Sequence, residues 1–151
     1  MSKRILVSSI IGVVAVGGVT AAGVAIASTE PAKKLTVENA SARYVAPTDA
    51  KTGSLTFTAQ VSDDSGVRSL KVLAWPASSN LSPTEAEMRS VESATCRTTS
   101  DDTSRCTYTL KVTKAEAAEL AAGIWHISSL ATAKDGDTRF TPRTTTFTVT
   151  H

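Results

Sequence analysis

Six aspartates fall in three short turns of this chain: Asp63 and Asp64 in Ser62-Asp63-Asp64-Ser65-Gly66, Asp101 and Asp102 in Thr99-Ser100-Asp101-Asp102-Thr103, and Asp135 and Asp137 on either side of Gly136. Carboxylates gathered at loop tips are the raw material of a Ca²⁺ site, because that ion takes roughly six to eight oxygen ligands and is abundant outside cells. Each is also a good turn former, since Asp and Ser bond their own backbone and Gly accepts positive φ. Arg68, Arg97, Arg105, Lys134 and Arg139 stand nearby to balance the charge. A Ca²⁺ site from Asp63, Asp64, Asp101, Asp102, Asp135 and Asp137 is the sharpest chemistry on offer, and turn structure is the plainer account.

Cys96 and Cys106 are the only cysteines, and they enclose a short polar loop. They lack the Cys-x-x-Cys spacing of a redox pair and the nearby histidines of a zinc site. In an oxidising compartment they would form a structural disulfide, stabilising the fold by roughly 2–3 kcal/mol through loop closure. A braced loop from Arg97 to Arg105 is also a rigid way to present a basic residue to a protease cleft.

Catalytic chemistry is thinly represented. His126 alternates out of phase with Trp125 and Ile127, which places it on the solvent face of a strand, and His151 is the last residue. Neither sits in a nucleophile–base motif, so the residues argue against an enzyme and name no catalytic or cofactor-binding group. Tyr44, Trp75, Tyr108 and Trp125 offer aromatic surface for a sugar or peptide. Trp75, out of phase with its inward neighbours and next to Pro76, is the best exposed candidate among them.

The elements that must position these groups are mostly strands. Leu55, Phe57, Ala59 and Val61 alternate with Thr56, Thr58 and Gln60, the pattern of a half-buried antiparallel strand. Leu35–Val45 reads as an edge strand with a break at Asn39–Ala42. In Val67–Trp75, Leu70, Val72 and Ala74 point inward. Ser93–Thr98 and Ser104–Val112 form a hairpin tied by the cysteines, with Tyr108, Leu110 and Val112 inward. The stretch Gly123–Asp137 is a long strand leaving through an acidic turn, with Trp125, Ile127 and Ala131 as core, and the last strand brings in Phe147 and Val149. Leu130 falls on the solvent parity, and a bulge at Ser128-Ser129 would turn it inward. Two capping boxes start short helices, one with Ser82 as N-cap, Pro83 at N1 and Glu85 at N3, the other at Thr113-Lys114-Ala115-Glu116. The sequons Asn39-Ala40-Ser41 and Asn80-Leu81-Ser82 are most simply chance.

The first residues are a targeting device. Lys3 and Arg4 precede an uncharged stretch from Ile5 to Ile26, and Ala25-Ile26-Ala27 places small residues where a signal peptidase reads. The expected layout is a signal helix at 1–27, a tether at 28–34 and a domain at 35–150, with a retained membrane anchor through residues 5–27 as the alternative. Without Lys3 and Arg4, the 16 Lys and Arg of the chain fall to 14 against 14 Asp and Glu. A neutral exported domain has no electrostatic footprint for nucleic acid or an anionic membrane.

Six to eight alternating strands with two short helices describe an all-β, immunoglobulin-like antiparallel β-sandwich. Val61-Ser62-Asp63-Asp64-Ser65-Gly66-Val67 with its following strand, and Leu120–Gly136 with its helix, Gly, aromatic, Ala-Thr-Ala and Asp-Gly, resemble parts of bacterial extracellular immunoglobulin-like domains. With its paired cysteines, the exported chain over nearly all of 35–150 also resembles a family of secreted actinobacterial proteins of unknown function, which implies no activity or catalytic residue to transfer. Unlike an antibody domain, its cysteines join neighbouring strands rather than the two sheets. The expected function is a secreted or envelope-associated module with a structural or protein-binding role, its partner an extracellular protein or a cell-wall component. A Ca²⁺- or carbohydrate-binding module and a protease inhibitor are the alternatives.

Overall fold

The alternation in β2 (Gly53–Ser62) organises the molecule, since Leu55, Phe57, Ala59 and Val61 are all buried while Thr56 and Thr58 are not. The computed structural model describes residues 32–151, so the expected signal helix and the start of the tether lie outside the described residues. Around β2 stand β1 (Thr36–Val45), β3 (Val67–Pro76), α1 (Glu85–Met88), β4 (Thr95–Ser100), β5 (Thr103–Val112), α2 (Lys114–Glu119), β6 (Gly123–Ala133) and β7 (Thr138–Val149). The strands form two antiparallel sheets, ordered β1-β2-β5-β4 and β3-β6-β7. That is the strand order of a constant-type immunoglobulin sandwich. The core between the sheets includes Leu55, Phe57, Val61, Leu70, Val72, Ile127, Ala131, Phe147 and Val149. Each large apolar side chain so buried stabilises the fold by roughly 1.5–3 kcal/mol.

Local chemistry explains the connections. Gly53 opens β2 where a Cβ would meet the Val45 carbonyl oxygen at 2.3 Å, so the β1–β2 turn needs glycine for a close approach. Gly66 takes φ +89° in the turn before β3. The expected break in β1 is a bulge between Glu38 and Ser41, with Asn39 at φ 52°. Thr113 caps α2 with Glu116 as expected.

The structure corrects four details. The N-cap of α1 is Thr84 with Glu87 at N3, two residues beyond Ser82 and Glu85. The chain offers two overlapping boxes, and the later one leaves Pro83 ahead of the helix and buried. Trp75 is on the outer parity of β3 but only 5% exposed. Its indole N–H donates to Ser128 Oγ at 2.9 Å, its ring lies 4.6 Å from that of His126, and the Arg143 guanidinium sits 6.0 Å from it. Leu130 also stays on the outer face. The strand β6 runs in regular register with β3 through this region, and the irregularity is on β7, where Thr141 and Thr145 pair with Ser129 and Ile127. Leu130 is buried all the same, because the outer face of this sheet has a cover: α1 packs on β3 and β6, with Met88 fully buried. Leu110 keeps the inward parity expected of it, directly opposite the buried Leu55, yet is 45% exposed because β4 does not extend far enough to flank it.

Candidate functional site

The three acidic turns meet at one end of the sandwich. The Asp63 N–H donates to the Asp102 carbonyl at 2.8 Å, and the Asp135 N–H donates to Ser65 Oγ at 3.2 Å. Side chains, however, separate the six aspartates into different jobs. Asp63, Asp64 and Asp135 each bring a carboxylate oxygen to within 4.8 Å of the others. Asp63 is 1% exposed, and its Oδ1 accepts from the Ser65 N–H at 2.9 Å and the Ser65 hydroxyl at 2.6 Å. Asp135 Oδ1 accepts from the Asp137 N–H at 3.0 Å. Both are carboxylates closing their own turns two residues on.

Asp101, Asp102 and Asp137 do not join that cluster. Asp102 instead receives the Lys33 ammonium at 2.7 Å and the hydroxyls of Ser100 and Thr103, each at 2.8 Å. These hydrogen bonds, led by that from Lys33, hold its carboxyl far below the usual carboxylate range. Asp102 is thus the anchor that fastens the incoming chain to the β4–β5 turn.

The Cys96–Cys106 disulfide joins residues directly opposite in the β4–β5 register, with Cα atoms 4.0 Å apart. Arg97 and Arg105 face each other on the same paired strands, and Asp101 and Asp102 form the tip. The basic residues therefore lie along a flat ladder rather than on a protruding loop. The aromatic groups do not make an outward platform either. Trp75 is buried as described, Tyr44 and Trp125 stack toward Phe147 at 6.4 and 5.9 Å, and the Trp125 N–H donates to the Ala121 carbonyl. His126 is half-buried against Trp75, and its Nδ1, like the Tyr44 hydroxyl, is buried without a hydrogen-bond partner.

A feature that residue patterns did not single out lies on the flank between β3 and β5. The strand β4 has six residues against ten in β5, and its pairing with β5 covers Thr103 to Thr107. From Tyr108 to Val112, among the described residues, no strand pairs with β5 on that side. The upper part of the same flank is closed by the segment leading into β4, whose Glu92 carbonyl accepts from the Val72 N–H and whose Ala94 N–H donates to the Leu70 carbonyl. The Tyr108 hydroxyl donates to the Glu92 carboxylate at 2.6 Å across the gap. Relative strand length is the signal that could have found this.

That contact makes a checkable prediction. Burial, reinforced by Glu92, pushes the Tyr108 hydroxyl up to about 12, against about 10 in an unfolded chain. With the folded value raised, its contribution to stability is fully present below about pH 10 and is lost as pH rises through about 12. A difference titration against Tyr108→Phe should place tyrosinate formation near the upper value, and Glu92→Gln should lower it. A midpoint near the unfolded value in the parent would contradict the contact.

Among the described residues no helix is long and apolar enough to cross a membrane, and the disulfide suits an oxidising compartment. No curated protein and no solved structure matches the chain. Residues 37–131 match the model of a family of unknown function, DUF5707, spanning β1 to most of β6, and the chain belongs to that family.

Proposed function

We propose that the chain is a secreted or envelope-associated immunoglobulin-like module, akin to exported actinobacterial domains, that works by contact with another exported protein rather than by catalysis. The observation that supports this is the unpaired stretch of β5 from Tyr108 to Val112, with Leu110 exposed beside it. An extended segment of a partner gains main-chain hydrogen bonds by adding to a free sheet edge, and its alternate side chains meet the pockets there. Thr109→Pro removes a backbone donor from that stretch, and Leu110→Glu places a charge on it. Cross-linking of the tagged protein in its native exported setting should recover one defined partner, and both substitutions should abolish its recovery. Equal recovery with parent and variants would remove the edge from the account; recovery of wall polysaccharide alone would favour a carbohydrate-binding module.

A second reading rests on the Asp63, Asp64 and Asp135 carboxylates, within 4.8 Å of one another. A weak extracellular Ca²⁺ site there would link the β2–β3 connection, which joins the two sheets, to the β6–β7 turn. Millimolar Ca²⁺ should then raise the melting temperature of the parent and leave Asp64→Asn unmoved. No calorimetric heat and no rise would eliminate it.

A further inference from the structure

We propose that the outer face of the β1-β2-β5-β4 sheet is a docking surface for an acidic polysaccharide, whose anionic groups are gripped by the Arg97–Arg105 pair. The apolar residues of these strands alternate inward, so every second residue builds the opposite face. Register sets those residues out in three rows across the strands: Arg43-Thr56-Thr109, Ser41-Thr58-Thr107-Thr95 and Gln60-Arg105-Arg97. Hydroxyl, amide and guanidinium groups make up all three, with no aromatic or large apolar side chain among them. The helix α1 packs on the other sheet, and on this one Ser41, Gln60, Thr95, Arg97 and Arg105 are exposed.

The arginine pair is the feature that folding does not explain. Arg97 and Arg105 stand directly opposite each other, one residue along from Cys96 and Cys106, so the disulfide fixes a register that sets two like charges side by side. Such a pair destabilises a sheet, and among the described residues neither guanidinium has an ion-pair partner. The carboxylate in the same row, Glu38, is on β1, two strand spacings or roughly 10 Å from Arg105. An anion set between two guanidiniums relieves their repulsion and accepts from their forked N–H donors. A shallow depression at the pair is lined by Thr95, Arg97, Thr99, Arg105, Thr107 and Thr109. A second shares Thr99 and Arg105 and continues through Gln60, Thr58 and Ser41 to β1. Together they make a track of three strand spacings, roughly 14 Å. That length suits a polymer, and the hydroxyls along it donate to and accept from sugar hydroxyls alike. Protein interfaces centre on well-packed, desolvated anchors, commonly aromatic, and single-stranded nucleic acid stacks on aromatic rings; these rows offer neither. The near balance of charge in the whole sequence conceals the patch, since a count says nothing of distribution. The partner contact proposed above uses the open backbone edge of β5 and this surface uses outward side chains, so each can fail without the other.

The test titrates the full oxidised chain calorimetrically with oligogalacturonate, with neutral dextran oligosaccharide and with oligothymidylate, which like oligogalacturonate carries one negative charge per unit. Saturable binding of oligogalacturonate is expected, weakening several-fold as salt rises from about 20 to about 200 mM, with no heat from dextran. Arg97→Thr should weaken it by roughly tenfold or more while leaving the melting temperature equal to or above that of the parent, because the same change removes the like-charge contact. Arg105→Gln, across the pair, carries the same expectation. Thr95→Val with Thr107→Val keeps shape and charge and removes two hydroxyls, and should weaken oligogalacturonate by roughly tenfold while leaving oligothymidylate unchanged. Absence of saturable oligogalacturonate binding, or equal binding by parent and both arginine variants, would overturn the surface. Oligothymidylate bound as tightly as oligogalacturonate, or a valine variant that binds oligogalacturonate like the parent, would overturn the polysaccharide as its occupant.

Discussion

Trp75→Ala should lower stability by about 3–5 kcal/mol, the range for deleting a buried aromatic side chain. A tryptophan on an open binding platform would shift stability by no more than about 0.5 kcal/mol on truncation, so urea melts separate the two readily. The large value follows from what surrounds the ring. Its N–H donates to Ser128 Oγ, and that hydroxyl in turn donates to the Pro142 carbonyl at 2.6 Å. Ser128 is itself fully buried, and the relay ties β3 through β6 to the irregular part of β7. Trp75→Phe keeps most of the ring packing and removes the donor, and it should cost about 1 kcal/mol in addition to the lost ring volume. A melt of Trp75→Ala superimposable on the parent would mean that this outer face is not a second packed layer.

Reduction of Cys96–Cys106 should cost roughly 2–3 kcal/mol by loop closure, which for a domain of this size is a fall in melting temperature of roughly 10 °C. The effect should be local before it is global. The strand β4 is an edge strand that pairs with β5 alone, and five of its six residues are exposed, so little apolar burial holds it in place. Hydrogen exchange in reduced protein should therefore accelerate first at the Arg97–Ser100 amides, while the β2 and β6 amides stay protected. Cys96→Ala with Cys106→Ala should cost more than reduction, because Cys106 is fully buried and its sulfur fills core space. A melting temperature unmoved by reductant would show that the bridge adds nothing to the hairpin register.

Alternation made β2, the inner face of β6 and the Phe147–Val149 end of β7 legible from residues alone, because period-two burial is a local consequence of the pleat. The cysteine pair was legible for a simpler reason, since there are only two. What failed was cover rather than parity. Trp75, Leu130 and His126 do lie on the outer face, but parity cannot say whether another element lies over that face. The cover depended on where α1 begins, and Ser82 with Glu85 and Thr84 with Glu87 satisfy the same capping pattern. The acidic end was partly legible: turn chemistry placed the loops, yet only side-chain partners decide that Asp102 belongs to Lys33 and that Asp63 and Asp135 close their own turns. The open flank was legible only as a difference in length between two paired strands, six residues in β4 against ten in β5, and not from any residue within them.

The bulge in β1 has a bearing on how this molecule behaves in company. Among the described residues β1 ends its sheet and pairs only with β2, so its outer side is the natural place for a second copy to continue the sheet. Between Glu38 and Ser41 the ladder slips, with Asn39 turned to φ 52°, and a row of donors and acceptors interrupted at its centre is a poor template for in-register growth. For any sheet protein at high local concentration, end-to-end sheet polymerisation is the standing hazard. Here the guard against it is written into the backbone itself, which makes it insensitive to the salt and pH that would weaken a guard made of charge.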